Sequence, residues 1–253
     1  MLNSALWGFV QGLTEFLPIS SSGHLVLIPA LLDIEGPDLA TSAILHLGTL
    51  AALLWFYRRD LWRVVSAPRA PESRTIIMLL VIGTIPAAIV GLTLDTPIEV
   101  IFNEPWIVAV SLMITGAVLA LASLLPQGTR VVGEGNWRDA LTVGVAQAFA
   151  LLPGISRSGM TITGGLAGGF SRIESARYAF LLGIPAIAGA GGREMLRLID
   201  RGGFEPELLV GMVVAAVTGY AAIALLIKLI QRVGLLPFAA YCLLFGGFSY
   251  VVL

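Results

Sequence analysis

Leu151-Leu152-Pro153-Gly154-Ile155-Ser156-Arg157-Ser158-Gly159-Met160-Thr161 sets an arginine, hydroxyls and a flexible backbone in the middle of a strongly apolar chain. A shift of 136 residues finds its counterpart near the N-terminus. Gly8 then falls on Gly144, Gln11 on Gln147, Ile19 on Ile155, Ser20 on Ser156, Ser22 on Ser158 and Gly23 on Gly159. The match has no gap, and Ile-Ser-x-Ser-Gly occurs in both copies. The chain therefore reads as two related halves, each carrying one broken polar element.

Composition sets the class. Of 253 residues, 57% are hydrophobic and 12% charged, with a mean hydropathy of +0.91. A soluble domain carries roughly a quarter charged residues. Together with several apolar runs of spanning length, this points to an integral membrane protein. A net charge of −1 gives no reason to expect nucleic acid as a partner. The single cysteine, Cys242, precludes an intrachain disulfide and is silent on compartment. The first Lys or Arg is Arg58, which argues against a cleaved signal peptide with a charged leading region.

Residues 1–32 are apolar but interrupted by Gln11, Glu15, Pro18, Ser20 to Ser22 and His24. Neither leg, 1–17 or 22–32, reaches across a hydrocarbon core of about 30 Å. The expectation is a re-entrant hairpin, whose break survives at membrane depth only against protein or a watery cavity. Spans are expected at 40–57, 75–94 and 105–125. Between the first two lies a loop at 58–74, with five arginines and breaks at Pro68 and Pro71. A turn with Asp95, Pro97, Glu99, Asn103 and Pro105 separates the next two, and a polar loop at 126–137 closes the half. The second half repeats the plan, with a hairpin at 138–153 and 158–170 and spans at 174–192, 206–231 and 235–253.

The fold class that follows is an all-α polytopic membrane protein, a single membrane domain over 1–253. Repeat 1 covers about 1–125 and repeat 2 about 138–253, each a re-entrant helix hairpin plus three transmembrane helices. Three is odd, so the halves lie with opposite orientation, as inverted-topology repeats. The five arginines of the 58–74 loop share a side with Arg130, Arg138, Arg172, Arg177, Lys228 and Arg232, making 5 + 6 = 11 cations. The other side has Arg193, Arg197 and Arg201, and Arg157 stays at the break. Eleven against three places the basic side in the cytoplasm and both termini outside.

Bringing the breaks together gathers Gln11, Glu15, Ser20, Ser21, Ser22 and His24 against Ser156, Arg157, Ser158 and Thr161. Gln11 and Glu15 are four apart and share a helix face. Ionisable groups inside a membrane are costly and by default functional, although serines also bond back to helix carbonyls. That bland role stays open for Ser20 and Ser158. His46, Trp55 and the other aromatics read as packing or interfacial residues. Under the shift, Glu15 becomes Leu151, Ser21 becomes Arg157 and His24 becomes Met160. One half supplies acid, hydroxyl and imidazole, the other the cation. Such a division suits one asymmetric reaction better than a symmetric pore.

The chemistry it suggests is that of phosphate. Each Ser-x-Ser-Gly break precedes a helix whose free N–H groups make an anion site. Arg157 adds a planar fork for two phosphate oxygens. Glu15 is a candidate cation ligand or base, His24 a proton carrier and Ser21 a nucleophile.

At these residues the chain closely resembles the bacterial undecaprenyl pyrophosphate phosphatases, the bacitracin-resistance family. One family motif, (Glu/Gln)-x-x-x-Glu followed by Pro-x-Ser-Ser-(Ser/Thr)-Gly-His, reads Gln11-Gly12-Leu13-Thr14-Glu15 and Pro18-Ile19-Ser20-Ser21-Ser22-Gly23-His24. The other reads Pro153-Gly154-Ile155-Ser156-Arg157-Ser158-Gly159-Met160-Thr161. The resemblance implies removal of the terminal phosphate from a C55 polyprenyl pyrophosphate, which recycles the lipid carrier of cell-wall synthesis. By the same resemblance Glu15, Ser21, His24 and Arg157 are catalytic. Gln11, Ser20, Ser22, Gly23, Gly154, Ser156, Ser158 and Thr161 bind substrate. A divalent cation, Mg²⁺ or Ca²⁺, is expected, and with Gln at position 11 its charged ligand would be Glu15.

The resemblance further implies a multi-pass protein of the bacterial inner membrane, its site open to the periplasmic side. Membrane lipids surround it, bacitracin competes by binding the substrate, and a homodimer is an open possibility. Ser21 attacks the terminal phosphorus after activation by His24 or Glu15, or water attacks directly with Ser21 positioning it. The rival is an inverted-repeat transporter or flippase of a polyprenyl phosphate or other anion.

Overall fold

The computed structural model describes residues 2–94, 104–200 and 206–253, excepting the side chains at 39, 40, 194, 197–200 and 206. Among them are eleven α-helices and one short 3₁₀ turn. The first half has α1 (Leu2–Phe16), α2 (Ser21–Leu32), α3 (Leu39–Phe56), α4 (Arg58–Ser66), α5 (Pro71–Thr93) and α6 (Pro105–Ala122). The second has α7 (Trp137–Phe149), α8 (Arg157–Ala167), α9 (Arg172–Asp200), α10 (Pro206–Arg232) and α11 (Leu236–Val252). Of the expected turn, Asp95, Pro97, Glu99 and Asn103 lie outside the described residues, as does Arg201.

Local chemistry explains most of the boundaries. Proline opens α5 and α6 in the first turn, where its missing N–H costs nothing. Asn136 caps α7 by accepting from the N–H groups of Arg138 (2.8 Å) and Asp139 (3.3 Å). Asp139 answers by accepting from the Asn136 N–H at 2.9 Å. The arginine-rich stretch is not wholly a loop: residues 58–66 form α4, and α5 begins at Pro71 rather than 75. Only Pro68 and Pro71 break that stretch, and the apolar residues between its arginines favour an amphipathic turn of helix. The span expected at 174–192 is longer, running from Arg172 to Asp200.

Among the described residues three helices, at Pro71–Thr93, Pro105–Ala122 and Glu207–Arg232, are long and apolar enough to cross a membrane. Shorter apolar helices occupy the expected spans at Thr41–Phe56 and Leu236–Val252. On α5 the buried Ile76, Leu79, Gly83 and Ala87 face inward. Val81, Ile85, Ile89 and Leu92 make an exposed stripe on the same helix. A continuous apolar exterior of this kind is what a lipid-facing helix needs and a soluble one avoids.

Apart from α4, the helices of the first half fall on helices of the second under the 136-residue shift, and the halves interlock. The hairpin helix α1 packs chiefly on α10, and its counterpart α7 packs on α5, the counterpart of α10. Backbones approach closely there. A Cβ on Gly8 would lie 2.3 Å from the Gly211 carbonyl oxygen, and one on Gly144 would lie 2.6 Å from that of Gly83. The other equivalent pairs pack on each other, α3 with α9 and α6 with α11. Both run antiparallel. Gly191 of α9 abuts Ala43 and Leu47 at the start of α3, whereas Phe180 meets Tyr57 just past its end. Gly116 abuts Ala239 and Leu243, whereas Gly246 abuts Ala109 and Met113.

One end of the molecule collects the basic segments. Arg177 donates to Asp60 at 2.9 Å and lies 3.5 Å from Glu72. Glu174 accepts from the Val132 N–H at 2.8 Å. Arg130 forks onto Asp139 at 2.7 and 3.1 Å, donates to the Gly168 carbonyl and lies over the Phe170 ring. Hydrogen bonding to Asp139 pushes the Arg130 guanidinium further up from its ordinary range. The 58–74 segment, the 126–137 loop and the start of α9 thus meet at one end.

Candidate active site

The two breaks meet inside the bundle. α1 stops at Phe16, whose ring lies against Gly219, midway along α10. The break ends in Ser20, which caps α2 by accepting from the Gly23 N–H at 3.2 Å. The second break ends in Ser156, which caps α8 by accepting from the Gly159 N–H at 3.1 Å. In each, the cap hydroxyl also meets the serine two residues on, Ser22 or Ser158, at 3.2 Å. Two helix N-termini with the same hydrogen bonds, 136 residues apart, therefore face the same interior. The Ser22 hydroxyl joins them by accepting from the Gly154 N–H at 3.4 Å. The Ser158 hydroxyl donates to the Leu17 carbonyl at 3.0 Å.

The breaks differ in strain. Ser20 has φ 67° and ψ 100°, whereas Ser156 is extended at −76° and 118°. A serine held in that left-handed region costs about 1–3 kcal/mol and persists only where its surroundings fix it. His24 does so here, its Nδ1 meeting the Ser20 carbonyl at 2.7 Å. In the second break the positive φ, 89°, falls on Gly154, where a Cβ would lie 2.4 Å from the Val108 carbonyl oxygen. Thr115 of α6 pins this turn, donating to the Gly154 carbonyl at 3.0 Å and accepting from the Ser156 N–H at 3.1 Å.

Glu15 is the centre of the site. Its Oε1 accepts from Arg157 Nη2 at 2.9 Å. Its Oε2 accepts from the Ser21 hydroxyl at 2.5 Å and from Gln11 Nε2 at 3.0 Å. The positions that the shift equates, Ser21 and Arg157, thus meet on the two oxygens of one carboxylate. Glu15, Gln11 and Ser21 are all buried, and the Arg157 side chain is 15% exposed. The guanidinium is seated against Gly183 of α9, and Nη1 donates to the Ala179 carbonyl at 3.5 Å.

Most of the expected site residues gather here, but not all bonds run as anticipated. The described hydrogen bonds of His24 go to Ser20 and, from Nε2, to the Tyr241 hydroxyl at 2.7 Å, not to Ser21. Its ring stacks on those of Tyr241 and Phe245. Of the two activators expected for Ser21, Glu15 is the one in contact. The Thr161 hydroxyl donates to its own helix, at the Arg157 carbonyl, at 2.7 Å. His46, read from the sequence as a packing residue, is a member of the site: its Nε2 lies 3.6 Å from Glu15 Oε2, and its side chain is 29% exposed. Its Nδ1 meets the Ser42 carbonyl at 2.7 Å. Tyr241, Thr115 and Gly183 also escaped the sequence reading.

The donor set does not make a resident metal site. Among the described residues, no cluster of three His, Cys, Asp or Glu side chains is placed to hold an ion. Glu15, the expected ligand, has both oxygens engaged by donors, one of them a guanidinium. A hard divalent cation takes several oxygen ligands; among the described residues this carboxylate has beside it one unpartnered side-chain oxygen, Gln11 Oε1, and no second acid.

Comparison with known proteins points to one family. The family model described as bacitracin resistance protein BacA matches residues 4–248. The undecaprenyl-diphosphatase of Geobacter metallireducens is 44% identical, covering 97% of this chain and 96% of that protein. That of Geobacter sulfurreducens is 42% identical, covering 98% and 96%. That of Methanosphaera stadtmanae is 40% identical, covering 100% and 98%. A family match over nearly the whole chain, with relatives of this identity at full length, carries one conclusion: the chain belongs to the bacitracin resistance protein BacA family.

Proposed function

We propose that the chain is an undecaprenyl-diphosphatase, a membrane hydrolase that converts undecaprenyl pyrophosphate to undecaprenyl phosphate and inorganic phosphate. The observation that carries it is the pairing of Ser21 and Arg157 on the two oxygens of Glu15. A hydroxyl with a base on its proton stands beside a forked cation and two helix N-termini. A carrier for an anion needs the cation and the N-termini, but not the buried hydroxyl–carboxylate pair.

In the reaction, the pyrophosphate lies between the N-termini of α2 and α8, with the polyprenyl tail leaving sideways into lipid. Arg157 and the free N–H groups hold phosphoryl oxygens and stabilise the charge that builds on them. Ser21 Oγ bonds to the terminal phosphorus as its proton passes to Glu15. The bond to the bridging oxygen breaks and undecaprenyl phosphate departs. Water then attacks the phosphoserine and releases phosphate. In the alternative, Glu15 takes the proton of a water that attacks directly, and Ser21 orients it. His24 acts here on the Ser20 turn, whose N–H groups it holds in place.

The fold reading belongs to the same proposal. Two inverted repeats, each with a re-entrant hairpin and three spans, place both breaks near the midplane. The antiparallel runs of α3 with α9 and of α6 with α11 support it. The gathered basic end is the cytoplasmic side of a bacterial inner membrane, and the site opens to the other. Bacitracin competes by binding the lipid substrate. The test is phosphate release from C55 pyrophosphate by purified protein in detergent, where no gradient exists. A transporter would release none.

A further inference from the structure

We infer that the divalent cation of the reaction is not held by this protein at rest but arrives on the substrate, as a metal–pyrophosphate complex. The inference rests on the phosphatase reading above and departs from the expectation that Glu15 is a metal ligand. Among the described residues Glu15 is the one carboxylate at the junction of the breaks, and three donors already engage its two oxygens. Arg157 takes Oε1 at 2.9 Å; Ser21 and Gln11 take Oε2 at 2.5 and 3.0 Å. His46 Nε2 stands 3.6 Å from the same oxygen, on the more open side. An ionised carboxyl group offers about four acceptor positions, and three donors plus an imidazole surround this one. A cation placed on Glu15 would share the carboxylate with the guanidinium, like charge beside like.

The nearby hydroxyls offer no substitute cage. Ser20 and Ser156 are occupied as helix caps, and Ser158 donates to the Leu17 carbonyl. A pyrophosphate brings several anionic oxygens of its own, a better ligand set for a hard cation than the one carboxylate the described residues place here. Arg157 with the two helix N-termini would hold the pyrophosphate oxygens that the cation leaves free.

Mn²⁺ electron paramagnetic resonance on the purified protein in detergent tests this, with a non-hydrolysable C55 methylene-diphosphonate as probe. Analogue binding is followed separately by radiolabel retention. Without the analogue, the protein should hold no stoichiometric Mn²⁺, and Glu15→Gln should change nothing. With it, about one Mn²⁺ per chain should appear, showing ³¹P hyperfine coupling. Its affinity should tighten by roughly 100-fold, the upper range for coupling between two ligands. About one Mn²⁺ per chain in the analogue-free protein, lost in Glu15→Gln, would overturn the inference and make Glu15 a ligand. Analogue retained by the protein with no accompanying Mn²⁺ would overturn it as well. An analogue that is not retained at all, with or without Mn²⁺, would sink the phosphatase reading and this inference with it.

Discussion

Gly183→Ala should slow the enzyme without unfolding it. Gly183 lies within α9, and a Cβ built there would stand 2.1 Å from Arg157 Nη1 and 2.9 Å from its Cζ. Non-bonded atoms settle near about 3.5 Å, so the guanidinium must retreat by about 3.5 − 2.1 = 1.4 Å. That exceeds the play in a 2.9 Å bond to Glu15 Oε1, so the clamp either breaks or moves with its carboxylate. Misplacing a reacting group by about 1 Å can cost 10²-fold in rate, and a loss of about that size is expected. The backbone itself welcomes the change, since alanine is favoured over glycine inside a helix by about 1 kcal/mol. The assay is initial phosphate release from C55 pyrophosphate in detergent, beside a thermal unfolding scan. Gly183→Ala combined with Arg157→Ala should be little worse than Arg157→Ala alone, because both act through one group. A folded Gly183→Ala protein with near wild-type turnover would refute the seating of Arg157 described here.

Ser21→Ala and Glu15→Gln should each cut phosphate release heavily while retention of the lipid analogue persists. Their double variant should cost little more than either alone. Fully multiplicative losses in that cycle would favour separate roles and direct attack by water. Arg157→Lys keeps the charge but not the fork, and should fold normally yet lose about 10² in turnover; near wild-type release would reduce Arg157 to a counter-ion of Glu15.

Much of this site is legible in the sequence, because the chain states it twice. The 136-residue shift aligned Ser20 with Ser156 and Ser22 with Ser158, and the two caps do make the same bonds. The pairing of Ser21 with Arg157 was visible as a substitution between halves, and their meeting on Glu15 follows from folding the breaks together. His46 was not readable. Its contact with Glu15 depends on how α3 lies against α1, a packing relation that no motif or spacing records. The same holds for Tyr241, 217 residues from the His24 it touches. Gly183 looked like any small residue in an apolar helix until the guanidinium was seen against it. The strain at Ser20 has no signal in the repeat, because its counterpart Ser156 is unstrained.

The central claim is that a hydroxyl, a carboxylate and a guanidinium gathered from two broken helices cleave a pyrophosphate. The most direct test is phosphate release from C55 pyrophosphate by the purified chain in detergent, wild type against Glu15→Gln, with retention of the non-hydrolysable analogue measured on both. The account predicts steady release by the wild type, near loss of release in Glu15→Gln, and analogue retained by each. Release that survives Glu15→Gln undiminished, or a folded wild-type protein that retains the analogue but releases nothing, would contradict it.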